Sequence, residues 1–202
     1  CQHLQADIAV LAGYDAKDEL TRAKFGGKIC AAINNLRAKE ATIVVEGNNA
    51  EEAAQIAYGA KLKSYDFGKY FTTKKANEKP SLKKLSIMVA DPAKAKKAYK
   101  DYEIAADAIF YTRDLVSEPS NVLHPESYAA AIKKLSKSGL KVQVLGESEM
   151  KKLGMNALLG VGQGSAFESK LVVMKWDGGK KNDKQVSFVG KGVTFDTGGI
   201  SI

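Results

Sequence analysis

"LKKLSIMVADPAKAKKAYKDYEIAADAIFYTRDLV", residues 82–116, decides the fold class. Its first part, Leu82 to Ala90, is a short run with strand character. Asp91 and Pro92 then open a helix, the aspartate as a cap and the proline in the first turn, where its missing N–H costs nothing. Helical patterning continues to Val116. A strand feeding a long helix is half of an alternating unit, and the preceding sequence supplies the other half. "ATIVVEG" (41–47) reads as a strand stopped by Gly47, and "NAEEAAQIAYGAKL" (49–62) as a helix with Asn49 as its cap. Further back, "ADIAVLAG" (6–13) reads as a short buried strand. "ELTRAKFGGKICAAINNLRAK" (19–39) has helical spacing, with Leu20, Ala23, Ile29, Ala32, Ile33 and Leu36 mostly on one side and Gly26–Gly27 weakening it. The order β-α-β-α-β-α predicts an α/β layer with a substantially parallel sheet.

Beyond residue 116 the alternation breaks and restarts. "SEPSNVLHPES" (117–127) is a loop by its prolines and serines. "PESYAAAIKKLSKSG" (125–139) predicts a helix closed by Gly139, "LKVQVLG" (140–146) a strand and "SEMKKLG" (148–154) a short helix. "NALLGVGQGS" (156–165) predicts a strand or turn. "KLVVMKW" (170–176) and "QVSFVG" (185–190) predict strands joined by the polar turn "DGGKKND". A domain boundary is expected in the long helix near residues 95–105.

Composition narrows the class. The chain has 202 residues, enough for one or two domains, and 45% apolar content, as in ordinary globular proteins. There is no apolar run near 18 residues and no signal-peptide pattern at the start, so neither a membrane span nor secretion is expected. Cys1 and Cys30 make no metal spacing and no disulfide framework, which fits a reducing, cytoplasmic setting. The net charge of +8 rests on lysine clusters at turns and helix faces. A solvated surface explains them, and a nucleic-acid-binding module is the rival reading.

No P-loop, H-E-x-x-H or G-x-S-x-G is present. "GVGQGS" (160–165) lacks the third spaced glycine of a dinucleotide fingerprint and reads as a turn where backbones pass closely. His3 and His124 are isolated and read as surface or loop histidines.

The chemistry concentrates in "VSFVGKGVTFDTGGISI" (186–202). Gly190 and Gly192 flank Lys191, so the backbone can bend and present the amine inward. Asp196 falls on the opposite face of the expected strand from Phe195. Gly198 and Gly199 leave room beside the carboxylate. A lysine–aspartate ion pair at a strand end fits these residues, and so does a metal site. A carboxylate can bridge two hard cations, and a lysine ligates as the neutral amine that burial and nearby cations favour. An aspartic protease, suggested by Asp-Thr-Gly, would need a second such aspartate and an all-β surround, neither of which the sequence offers.

"VGKGVTFDTGGISI" closely resembles the signature of the leucine aminopeptidases, the cytosolic dinuclear-metal aminopeptidases. "TRDLVSEPSNVLHPESYA" is similar to that family's linker-helix and loop segment, "LLGVGQGSAFESKLVVMKW" to its next stretch, and "AYGAKLKSYDFGKY" to its N-terminal domain. The resemblance runs from about residue 7 to residue 202. It implies an N-terminal α/β domain over residues 1–95, incomplete at its start, a linker helix over 96–118, and the first part of a catalytic domain over 119–202. It further implies a homohexamer acting on peptides with two divalent ions, manganese or zinc, per subunit. Lys191 would ligate one ion and Asp196 both. The family's catalytic lysine and arginine, and its other acidic ligands, would lie beyond Ile202. The chain is therefore expected to be part of a longer enzyme and inactive alone. The resemblance also leaves DNA binding open.

Overall fold

The computed structural model of the protein describes residues 7–15, 17–46, 49–180 and 182–196. The fold is α/β, and the chain divides into two compact units, one ending at Val116 and the other starting at Ser117.

In the first unit, α1 (Glu19–Asn35) is started by Asp18, whose Oδ1 accepts from the Thr21 N–H at 2.8 Å. β1 (Glu40–Val44), α2 (Ala50–Lys63) and β2 (Lys84–Met88) follow as a β-α-β unit, with the strands parallel in the register Glu40↔Lys84 to Val44↔Met88. Asn49 caps α2 as expected, accepting from the Glu52 N–H at 3.1 Å. Asp91 caps α3 (Pro92–Ser117) through the Lys94 N–H at 3.0 Å, with Pro92 in the first turn.

The core sits where α1 crosses α2. A Cβ on Gly26 would lie 1.9 Å from the Ile56 carbonyl oxygen, and one on Gly59 would lie 1.7 Å from the Ala23 carbonyl oxygen. The two helices therefore touch backbone to backbone, and the glycines that weaken α1 as a helix are the ones its packing requires. Cys30, Ala53, Ala54, Ile56 and Ala60 are buried around this crossing. Gln55, only 5% exposed, has its polar ends met by Arg22 (3.1 Å), Glu51 (3.2 Å) and Tyr102 (3.1 Å). Asn34 ties the end of α1 to the approach to β2, its Oδ1 accepting from the Ser81 and Leu82 N–H groups at 2.9 and 3.1 Å. Lys61 of α2 pairs with Asp107 of α3 at 2.6 Å.

In the second unit, α4 (Pro125–Lys133) tightens into a 3-10 turn (Lys134–Ser138) that ends at Gly139 in the left-handed region, φ 93°. β3 (Lys141–Leu145) pairs antiparallel with β4 (Leu171–Lys175), and between them lie α5 (Glu147–Lys152) and α6 (Asn156–Gly162). The parallel arrangement thus holds for the first unit only. Asp177 closes the open end of this pair, accepting from Lys141 at 2.7 Å and facing Lys175 at 3.1 Å.

Three expectations fail here. Residues 7–13 form no strand, and Leu11 is fully exposed. A strand persists only within a ladder that pairs its N–H and C=O groups, and among the described residues β1 and β2 pair with each other alone. Residues 185–190 likewise form no strand, with Phe188 95% and Val189 99% exposed. An apolar run of this kind needs cover on both faces, which the described residues do not give it. Residues 156–162 are helical, neither strand nor turn. Ala157, Leu158 and Leu159 are strong helix formers, and Gly160 faces open space, so its lack of a side chain forfeits no packing.

Candidate metal-binding segment

Lys191 and Asp196 both lie on the irregular segment that follows β4, and both are exposed. They do not stand at a strand end, and the amine is not turned inward. The alternation that would set Asp196 opposite Phe195 is likewise unrealised, because no ladder imposes it; both residues are exposed. Thr197 to Ile202, including Gly198 and Gly199, fall outside the described residues.

The glycines around Lys191 are not equivalent. A Cβ on Gly190 would meet nothing within 4 Å, so that position leaves room. A Cβ on Gly192 would lie 3.1 Å from Tyr128 Cε1 and 3.7 Å from its Cδ1, so the backbone is seated on the ring of a residue on α4. Thr194 is half-buried, whereas Val193 and Phe195 are exposed. Tyr128 is not legible as part of the site from sequence, because an aromatic on a helix most often serves the core. Only the approach of Gly192 reveals it.

The donor set fits a divalent cation in kind. Asp196 offers hard carboxylate oxygens and Lys191 a nitrogen that ligates when neutral. In number it falls short of a complete shell, because among the described residues no three His, Cys, Asp or Glu side chains converge.

The other candidates resolve structurally. His124 is the N-cap residue of α4, its N–H donating to Ser127 Oγ at 3.0 Å. Its ring stacks on Phe167 at 3.9 Å and 14°. His3 lies outside the described residues. Gly160 and Gly162 belong to α6, and the turn follows them, with the Ser165 N–H donating to the Gly162 carbonyl at 2.9 Å. A cavity of about 540 Å³ in the first unit is lined by Cys30, Ala54, Ala57, Lys61, Ile87 and Tyr99 among others. Burial pushes the Cys30 thiol up, away from the thiolate a nucleophile needs, and it pushes the Tyr99 phenol up as well. Burial draws Lys61 down, but the hydrogen bond to Asp107 together with the charges of Tyr99, Asp107 and Glu103 more than offsets that and raises it.

Comparison with known proteins gives the class first. The α/β fold is shared with the solved bottromycin maturation enzyme BotP in complex with Mn, at a TM-score of 0.62 and 27% identity over 77% of this chain and 33% of that one. Residues 110–202 match the model of the cytosol aminopeptidase family, catalytic domain. The "Probable cytosol aminopeptidase" of Caulobacter vibrioides is 54% identical over 178 residues, covering 85% of this chain and 36% of its own length. That of Chelativorans sp. is 50% identical over 192 residues, covering 93% and 38%. The chain belongs to the cytosol aminopeptidase family, and it spans less than two-fifths of the length of these curated relatives.

Proposed function

We propose that the protein is a metal-dependent aminopeptidase that releases N-terminal residues from peptides, with a preference for large apolar ones such as leucine. What carries this reading is the match of residues 110–202 to the family's catalytic domain, because that stretch contains both Lys191 and Asp196. In this reading residues 119–202 are the first part of the catalytic domain. Residues 1–95 form the N-terminal domain and 96–118 link the two. The protein works as a cytoplasmic homohexamer.

Two divalent ions per subunit, manganese or zinc, complete the site, and the manganese in the BotP structure supports that choice of metal. When bound, they supply an activated water and polarise the scissile carbonyl. The chain's own part is to hold and neutralise. Lys191 would ligate one ion through its neutral amine, its proton passing to solvent. Asp196 would hold both ions with its carboxylate, whose negative charge offsets theirs. Gly190, open on its Cβ side, leaves space beside the amine. With only these two donors, residues 1–202 alone do not turn over substrate.

The test is cleavage of a leucine anilide by the full-length protein with added manganese, before and after chelation. Hydrolysis that chelation abolishes and manganese restores is expected. Hydrolysis indifferent to the chelator would overturn the reading.

A further inference from the structure

We propose that Tyr128 is a positioning residue for the metal-binding segment: its ring is the platform against which the Gly192 backbone is seated, and it thereby sets where the neighbouring Lys191 amine is held. This rests on the reading of Lys191 and Asp196 as ligands.

Around Lys191 the described residues give the segment no regular secondary structure. It is in no ladder, and Val193 and Phe195, which would anchor a strand, are exposed. Against this, the Gly192 backbone approaches Tyr128 closely enough that a methyl group there would sit 3.1 Å from Cε1, tighter than an ordinary carbon–carbon contact. Glycine at 192 is therefore a contact residue, whereas glycine at 190 is not. The ring stands on a defined support. Pro125 occupies the first turn of α4, Ser127 Oγ accepts from the His124 N–H, and Ala129, next to Tyr128, is buried. A ligand one residue from such a seat moves with it, and misplacement on the scale of an ångström is what loosens designed and natural sites. The contact is made by the ring carbons Cε1 and Cδ1, not by the hydroxyl, so phenylalanine should substitute for it.

Calorimetric titration of manganese into the metal-stripped full-length protein tests this, with thermal melts alongside. Tyr128→Ala is expected to weaken binding by about tenfold or more, the range seen when groups that orient metal ligands are removed. Tyr128→Phe should stay within about twofold of the native protein. Gly192→Ala removes no atom of α4 and should also weaken binding, but should add little in the Tyr128→Ala background, because the clash it creates is then gone. Native affinity in Tyr128→Ala, native affinity in Gly192→Ala, or a Tyr128→Phe defect as large as that of alanine would each overturn the proposal. Asp196→Asn, titrated in parallel, separates the two claims. If it binds manganese like the native protein, the ligand assignment fails and the positioning role goes with it. If it loses manganese while Tyr128→Ala and Gly192→Ala do not, only the positioning role fails.

Discussion

Lys191 shows how far a single residue can be read. Its chemistry, an amine between two glycines and five positions before an aspartate, is legible from residue types alone. Its surroundings are not, because the seat under Gly192 comes from α4, more than sixty residues earlier in the chain. The same holds for His124, an isolated histidine in the sequence whose place is fixed by capping α4 and by the distant Phe167. Asp177 makes a prediction at this scale. Hydrogen bonds from Lys141 first and Lys175 next hold its carboxyl below the ordinary aspartate range. Its folded value lies below its unfolded value of about 3.9. The stabilisation is therefore present above that pH and is lost as pH falls through the folded value. Because Asp177 is substantially exposed, the effect should be small. Melting temperatures of the native protein and Asp177→Asn should differ at neutral pH and converge towards pH 2. Curves separated by the same interval at every pH would show that the pair contributes nothing.

Helices were easier to read than strands, for a physical reason. A helix satisfies its own backbone, so caps such as Asn49 and Asp91, the closing Gly139 and the apolar spacing of α1 suffice to find it. A strand needs a neighbour. The segments at 41–44, 84–88, 141–145 and 171–175 find one, whereas 7–13 and 185–190, equally apolar, do not. The α1–α2 crossing makes the prediction here. Gly26→Ala or Gly59→Ala places a methyl group into a carbonyl that cannot swing aside, so the helices must separate. The cost should be about 2–3 kcal/mol, lowering the melting temperature of a unit this size by roughly 10 °C or more. Gly27→Ala, whose Cβ would meet only ordinary contacts of 3.5 and 3.7 Å, should instead be neutral or stabilising. Equal melting temperatures for Gly26→Ala and Gly27→Ala would contradict the backbone contact.

For the whole molecule, the α/β class follows from the alternation of elements and holds in both units, although the strand pair of the second is antiparallel. The candidate site is half legible. Two donors of the right chemistry occupy one exposed segment, and among the described residues no three carboxylate, histidine or cysteine side chains gather to complete it. In the proposed reading, what makes Asp196 central is charge. A bridging position must offset two dications at once, and an asparagine of the same size does so poorly. In the proposed reading Lys191 would touch only one ion, so Lys191→Ala should weaken one site more than the other. The most direct measurement is therefore the metal content per subunit of purified full-length Asp196→Asn, by elemental analysis, with turnover and a thermal melt on the same sample. Loss of at least one metal and nearly all turnover, with the melt preserved, is the predicted result. Two metals per subunit and normal turnover would make Asp196 a structural residue and contradict the metal-site account.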